Sequence, residues 1–316
     1  MKKIKILVIF VAFIFGLVYT LNLEYFARGI RIVYLNLETT VFIDDLKYFD
    51  YETIKSPLEK SPWAESKYKT TNFSKEFEDY NKKMRTAAYV VIQNDTIIGE
   101  KYYEDYSVNS STNSFSMAKT PVSLMMAKAF EQGYINSLED KVIDYIPELK
   151  GEFANDVKII DLAAMTSGID WDEGTSNPFS PVAKQYFYED LDKLMLDQKF
   201  ITEPSKTYKY SSANTQILSM VIEKATGMKT KDYFEKEFWF KINPDNDAYW
   251  QIDSKESGNV KSFCCLHSNA RDFSRLGKLY IDNGSWNGNQ IIDSTFIQKS
   301  TKPYLDDFRE YGIGVW

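Results

Sequence analysis

Residues 86–103 read Thr86-Ala-Ala-Tyr-Val-Val-Ile-Gln-Asn94-Asp95-Thr-Ile-Ile-Gly-Glu-Lys-Tyr-Tyr103, two runs rich in β-branched and aromatic residues around an Asn-Asp pair. Such runs form strands and such a pair forms a tight turn, so an antiparallel hairpin is expected. An antiparallel start disfavours a doubly wound parallel sheet. Downstream the pattern turns helical: Ser116 to Gly133 is rich in Met, Ala, Leu and Lys, and Gly133 supplies the stop. Further helices are expected from Ile159 to Thr166, closed by Ser167-Gly168, and from Ala213 to Ala225, closed by Thr226-Gly227. Another runs from Ala270 to Ile281, with Ser268 or Asn269 as its cap. Ser285 to Ile292 suggests a short hairpin, and Tyr311 to Trp316 a strand just begun. The fold class is therefore α/β of the α+β type, an antiparallel sheet flanked by helices, with residues 131–285 mainly helical.

Upstream, residues 22–85 are polar and aromatic, contain Pro57 and Pro62, and lack a sustained period. They read as an extended arm wrapping a later core, ahead of a domain over 86–316. The basic start Met1-Lys-Lys-Ile-Lys5 and the apolar run Ile6–Tyr19 have the layout of an export signal within residues 1–21. The run is shorter than the roughly 20 residues of a spanning helix, and no A-x-A-like site follows. An uncleaved anchor in the cell envelope is favoured over a cleaved signal, so the membrane is a partner through this segment if it is retained.

A chain of 316 residues that is 44% hydrophobic has enough apolar material for a sizeable core. Its net charge of −7 comes from mixed charges along the whole length, so no basic stripe exists to track nucleic acid. Cys264 and Cys265 are the only cysteines, which excludes a disulfide framework; two small buried apolar side chains are expected there. With a single histidine, His267, and no C-x-x-C pair, a hydrolytic metal site is not expected, nor any cofactor. A Ser-His-Asp triad needs His267, yet no G-x-S-x-G elbow precedes a helix.

The remaining way to activate a serine uses lysine. In Phe115-Ser116-Met117-Ala118-Lys119 the S-x-x-K spacing places hydroxyl and amine one helical turn apart on one face. A lysine takes the proton only if burial or nearby cations lower its pKa, and Phe115, Met117 and Met125 are candidates to supply that burial. Backbone N–H groups at a helix start also favour negative charge forming on a substrate oxygen. The pattern alone is weak. Ser66-Lys67-Tyr68-Lys69 matches it too, and an ordinary N-cap serine is the plain alternative for Ser116. A second constellation, Tyr210-Ser211-Ser212-Ala213-Asn214, sits where a polar turn feeds a helix, and its tyrosine is a candidate proton relay if a lysine lowers its pKa.

Together Ser116-Met-Ala-Lys119, Asp161-Leu-Ala-Ala-Met-Thr-Ser-Gly168 and Tyr210-Ser-Ser-Ala-Asn214 resemble the beta-lactamase-related serine hydrolases over roughly Ala87 to Trp316. That family includes class C beta-lactamases, D-Ala-D-Ala carboxypeptidases, esterases and 6-aminohexanoate-dimer hydrolases. The variant Tyr210-Ser-Ser-Ala-Asn214, followed by Ala270-Arg271-Asp272 and Gly284-Ser-Trp-Asn-Gly288, is most similar to the last group. The resemblance implies a small amide or ester substrate, acylation of Ser116, Lys119 as general base and Tyr210 as proton relay. Where the family has Tyr-x-Asn this chain has Tyr210-Ser211-Ser212, so a hydroxyl stands where a substrate amide is bound. Asp170, Asp172 and Tyr186, on a segment from Ile169 to Tyr188 expected to roof the cleft, are further candidates for substrate contact. The family's third motif, a basic or His residue followed by Gly on an edge strand, is not reached by Trp316. On that reading the C-terminal part of the fold is missing, and the 316-residue form is expected to turn over poorly, since one oxyanion donor is worth about a hundredfold. The alternative function is an envelope protein of the same fold that binds penicillin or peptidoglycan fragments without turnover.

Overall fold

The computed structural model describes Thr20, residues 23–175 and residues 177–316. The basic and apolar leader lies almost wholly outside those residues. Among the described ones, no helix is long and apolar enough to cross a membrane.

The strands in chain order are β1 (Tyr51–Ile54), β2 (Ala64–Thr70), β3 (Ala88–Gln93), β4 (Thr96–Tyr102), β5 (Thr112–Asn113), β6 (Ala248–Gln251), β7 (Leu266–Ser268), β8 (Ser285–Trp286) and β9 (Asn289–Gln290). The helices are α1 (Glu24–Ile32), α2 (Lys75–Lys83), α3 (Lys119–Glu131), α4 (Ile159–Ala163), α5 (Pro181–Phe187), α6 (Leu191–Leu196), α7 (Ser212–Thr226), α8 (Thr230–Phe234), α9 (Ala270–Ile281) and α10 (Ser294–Ser300).

The hairpin at 86–103 forms as expected, β3 antiparallel to β4, with Asn94 and Asp95 both in the left-handed region at φ 48° and 60°. That twist suits a two-residue connection between right-twisted strands. The β8–β9 hairpin uses the same device at Asn287 and Gly288. One sheet runs β1-β6-β7-β5 with every pairing antiparallel, and a second runs β2-β4-β3. Residues 22–85 are not an aperiodic arm. They give β1, antiparallel on β6, and β2, parallel to β4, then α2, whose Ser74 cap accepts from the Phe77 N–H. The reason they looked aperiodic is that β2 buries no residue fully, so this strand carries no alternating apolar signal.

Helix α3 is buried on nearly every side, through Val122, Leu124, Met125, Met126, Ala127 and Ala129, and packs against α7 and α8. An apolar surface all round marks a central helix. Helix α9 matches its expected bounds, capped by the Asn269 side chain, which accepts from the Asp272 N–H. Tyr311–Trp316 is not a strand. Gly314, at φ +73°, donates its N–H to the Ala163 carbonyl and accepts from Thr120 Oγ1, which clamps the segment onto α3 and α4. A Cβ at Gly314 would fall 1.9 Å from Ser123 Oγ, so only glycine fits there. Cys264 and Cys265 are buried as expected, but they are bridged to each other instead of standing as two free thiols.

Arg271 ties α9 to the hairpin. Its guanidinium grips Glu100 of β4 with two bonds of 2.7 Å, and Lys69 adds a third at 2.9 Å. Burial alone raises the Glu100 pKa, but the bonds from Arg271, Tyr102 and Lys69 outweigh it and hold the carboxyl at about 2. A depressed carboxylate stabilises the fold above its unfolded pKa, and that contribution disappears as pH falls towards 2. Arg271→Met is expected to lower stability at pH 7 by about 3 kcal/mol and to flatten the acid dependence between pH 5 and the folded pKa. Urea denaturation of both proteins across that range checks this.

Candidate active site

Ser116 sits on a tight connection between the first sheet and the central helix. The Ser114 N–H donates to the Leu266 carbonyl of β7 at 2.8 Å, and the Phe115 N–H donates to Asn113 Oδ1 at 2.8 Å. Between these bonds Phe115 is held at φ +45°, unusual for a bulky residue and costing about 1–3 kcal/mol. Residues Phe115–Ala118 then form a 3₁₀ turn, so Ser116 precedes the α-helix proper and stays partly exposed. Lys119, the first residue of α3, is 1% exposed.

The Lys119 Nζ lies 3.2 Å from Ser116 Oγ, 3.2 Å from Ser212 Oγ and 2.8 Å from the Phe263 carbonyl oxygen. Burial disfavours the ammonium and lowers the Lys119 pKa to about 8, and the negative charge of Glu173 partly opposes this. Of the three expected apolar neighbours, Met125 is fully buried and Phe115 partly so, while Met117 is 42% exposed.

Tyr210 completes the cluster. Its ring lies with its centroid 5.0 Å from Lys119 Nζ. The hydroxyl is buried and completes no hydrogen bond of good geometry among the described residues, although the Ser116 hydroxyl is close enough to act on its ionisation. The expectation that lysine lowers the Tyr210 pKa is corrected: burial raises it, Ser116 opposes that weakly, and Glu173 and Tyr208 raise it further. Tyr210 is therefore a neutral phenol, able to give a proton to one atom while taking one from another. Around it stand Tyr208, Tyr311 and Trp316, with Phe308 stacked on Tyr208.

The other expected contacts are redistributed. Ser212 is 2% exposed, and its hydroxyl is committed to Lys119 and Glu173 rather than turned towards a substrate. Asp170 is exposed, and Asp172 turns its carboxylate back onto the Gly174 N–H. Tyr186 belongs to a buried network instead: its hydroxyl donates to Asp45 and accepts from Asn113 Nδ2 at 3.0 Å. It also lines an apolar hollow between α1 and α5, with Tyr25, Phe26, Val33 and Phe187, apart from Ser116, Lys119 and Tyr210. His267 is in the same network, beside Gln251 Nε2 at 3.1 Å, and burial with the nearby Lys261 pushes its pKa down to about 3. The second S-x-x-K match lies on β2, where Lys69 pairs with Glu65 and Glu100.

The residue that sequence reasoning missed is Glu173. Trp171 Nε1 donates to its Oε2 at 2.7 Å, the Ser212 N–H to the same oxygen at 2.9 Å, and Ser212 Oγ to Oε1 at 2.5 Å. Nothing in Asp170-Trp-Asp-Glu173 marks which acid faces inward; the one usable signal was the buried tryptophan beside it, whose indole needs an acceptor. The remaining motif residues hold loops together. Asp161 accepts from Thr166 and Ser205, Asn214 accepts from Ser167 Oγ and Ser212 Oγ accepts from Lys119 Nζ, so the third motif is bonded to each of the other two.

Beta-lactamase is the family whose model matches this sequence, over residues 73–310. The chain belongs to the beta-lactamase family. Within it, the chain is 22% identical over 228 residues to the 6-aminohexanoate-dimer hydrolase of Paenarthrobacter ureafaciens, covering 67% of this chain and 56% of that protein's length. A solved structure from Bacillus anthracis, provisionally assigned as a 6-aminohexanoate-dimer hydrolase, superposes with a TM-score of 0.71 at 22% identity, covering 82% of this chain and 73% of that one. A penicillin-binding protein from Bacillus halodurans superposes at 0.61 and 16% identity, covering 76% and 82%. At these identities the likenesses establish a shared fold, antiparallel sheets with helices packed on them.

If Lys119 is as dry as its contacts indicate, NMR of ¹⁵Nζ-labelled protein will show its amine titrating near pH 8, below the ordinary 10.5. A lysine resonance still fully protonated at pH 10 and assigned to residue 119 is incompatible with this site.

Proposed function

We propose that the chain is a serine hydrolase that cleaves a small amide or ester through an acyl-enzyme on Ser116, with linear amides ahead of beta-lactams. The observation that carries this reading is a buried amine of lowered pKa, 3.2 Å from a partly exposed serine hydroxyl. In the first step Ser116 Oγ attacks the substrate carbonyl carbon while its proton passes to Lys119 Nζ. The tetrahedral adduct then collapses, and the leaving amine or alkoxide takes a proton from Tyr210, which is replenished from the Lys119 ammonium. Water attacks the resulting ester, gives its proton to Lys119, and Ser116 leaves with that proton restored. The aromatic wall of Tyr208, Tyr210, Tyr311 and Trp316 suits an apolar or methylene-rich substrate. The name of the Paenarthrobacter relative, a dimer hydrolase, points the same way.

Mass spectrometry after treatment with a fluorophosphonate is expected to find Ser116 modified, with labelling rising as pH passes through about 8, because the neutral amine is the base. Lys119→Ala should slow labelling by about a hundredfold or more, and Tyr210→Phe should slow turnover of a linear amide by a similar factor. Labelling of Ser116 that is indifferent to Lys119 sinks the proposal. A beta-lactam or ester adduct that persists instead of turning over assigns the chain to the second reading, a binding protein of the same fold.

The proposal places the chain outside the cytoplasm, supported by the basic start and the apolar run Ile6–Tyr19. Fractionation of cells making the full chain is expected to recover it with the envelope, held there by that segment if it is retained. Recovery in the cytosol overturns this placement.

A further inference from the structure

Glu173 stands outside every motif of the sequence, yet three donors converge on its carboxylate, and one of them is the hydroxyl that faces Lys119. An ionised carboxylate only accepts hydrogen bonds, and a serine hydroxyl has a single proton. With that proton given to Glu173 Oε1 at 2.5 Å, Ser212 Oγ has only lone pairs left for Lys119. The Phe263 carbonyl is likewise an acceptor. Two N–H bonds of Lys119 are therefore directed to Ser212 and Phe263. A neutral amine has two N–H bonds, so its lone pair must occupy the remaining direction, which is that of Ser116 Oγ at 3.2 Å.

We infer that Glu173 is a positioning residue for the proposed reaction: acting through Ser212, it fixes the orientation in which Lys119 presents its lone pair to Ser116. The inference rests on the reading of Ser116 and Lys119 given above. Were Ser212 free to turn its proton towards Lys119, the amine lone pair would be drawn to Ser212 and away from the nucleophile.

The place of Glu173 in the fold supports the assignment. Ser211, at the cap position of α7, makes no capping bond, and its buried hydroxyl has no partner among the described residues. The first amide of that 15-residue helix, on Ser212, donates to Glu173 instead. The positive end of the helix dipole favours an anion there, and the Trp171 indole fixes the same oxygen from the other side. The groups facing Lys119 are Ser116 and Tyr210 from the cleft, Ser212 from α7, the Phe263 carbonyl, and beyond Ser212 the Glu173 carboxylate; Tyr208 and Tyr311, which face Tyr210, both have raised pKa values. Among the described residues Glu173 is thus the one charged group acting on the amine, and it favours the protonated form.

Two consequences separate this role from a merely structural one. Glu173→Gln removes the charge and is expected to move the acid limb of Ser116 labelling down by about one pH unit, while the plateau rate at high pH falls about tenfold or more. Ser212→Ala keeps the charge, so its plateau is expected to fall with the limb displaced by less than in Glu173→Gln. Both are measured as fluorophosphonate labelling rates from pH 6 to 10, with circular dichroism to establish folding. A Glu173→Gln protein whose limb and plateau match the parent overturns the inference, as does a Ser212→Ala protein with an unchanged plateau, which decides the matter if Glu173→Gln does not fold. If the parent itself is unlabelled, or Lys119→Ala is labelled at the parental rate, the prior reading of Ser116 and Lys119 has failed instead.

Discussion

Lys119 places an amine among Ser116, Ser212 and the Phe263 carbonyl with almost no contact with water. Desolvation sets this lysine, with the equally buried Lys261, apart from the lysines that form ion pairs near the surface. It has a cost, because a buried ammonium loses its hydration, and the structure offsets that cost with three acceptors in place of a full counter-ion. Central helix α3, the clamp of Gly314 on its first turns, and the junction at α7 all serve to keep solvent out of this one place. The rest of the site follows from it: Tyr210 stays a phenol because the same dry surroundings raise its pKa.

Strain gathers at the same point. Phe115 is held in a left-handed conformation by bonds at Asn113 and Leu266, and the turn around Phe263 carries both the bridged cysteines and Cys265 at φ +71°. Residues so placed persist only where neighbouring bonds determine them. Here they present the serine and the Phe263 carbonyl to one amine from two unrelated stretches of chain.

Much of this was legible in the residues themselves. The hairpin at 86–103, the helix over Ala270–Ile281 and the S-x-x-K pair declare themselves through period, turn chemistry and spacing, all of which are local. What was not legible depends on partners far along the chain. Strand β2 shows no apolar alternation, and β1 pairs with β6 almost two hundred positions later. Likewise Glu173 looks no different from Asp170 or Asp172 until α7 is folded against it, and Tyr186 looks like a cleft residue until Asp45 is seen beneath it. The direction of the Tyr210 pKa was misjudged for a similar reason: the nearby lysine was foreseen, but not that the surrounding burial outweighs it.

Asp45 carries a consequence for where the folding unit begins. Family similarity starts at residue 73, yet the Asp45 carboxylate, fully buried, accepts from Asn113, Gln251 and Tyr186, close to His267 and Lys261. A fragment cut at the family boundary would strip the outer strand from each of two sheets and leave those five side chains stranded in the interior with no anion to organise them. One of them, Asn113, also holds the backbone just ahead of Ser116. The stretch that matches the family is therefore shorter than the packed unit, and the extra length reaches, through a single aspartate, to the foot of the turn that carries Ser116.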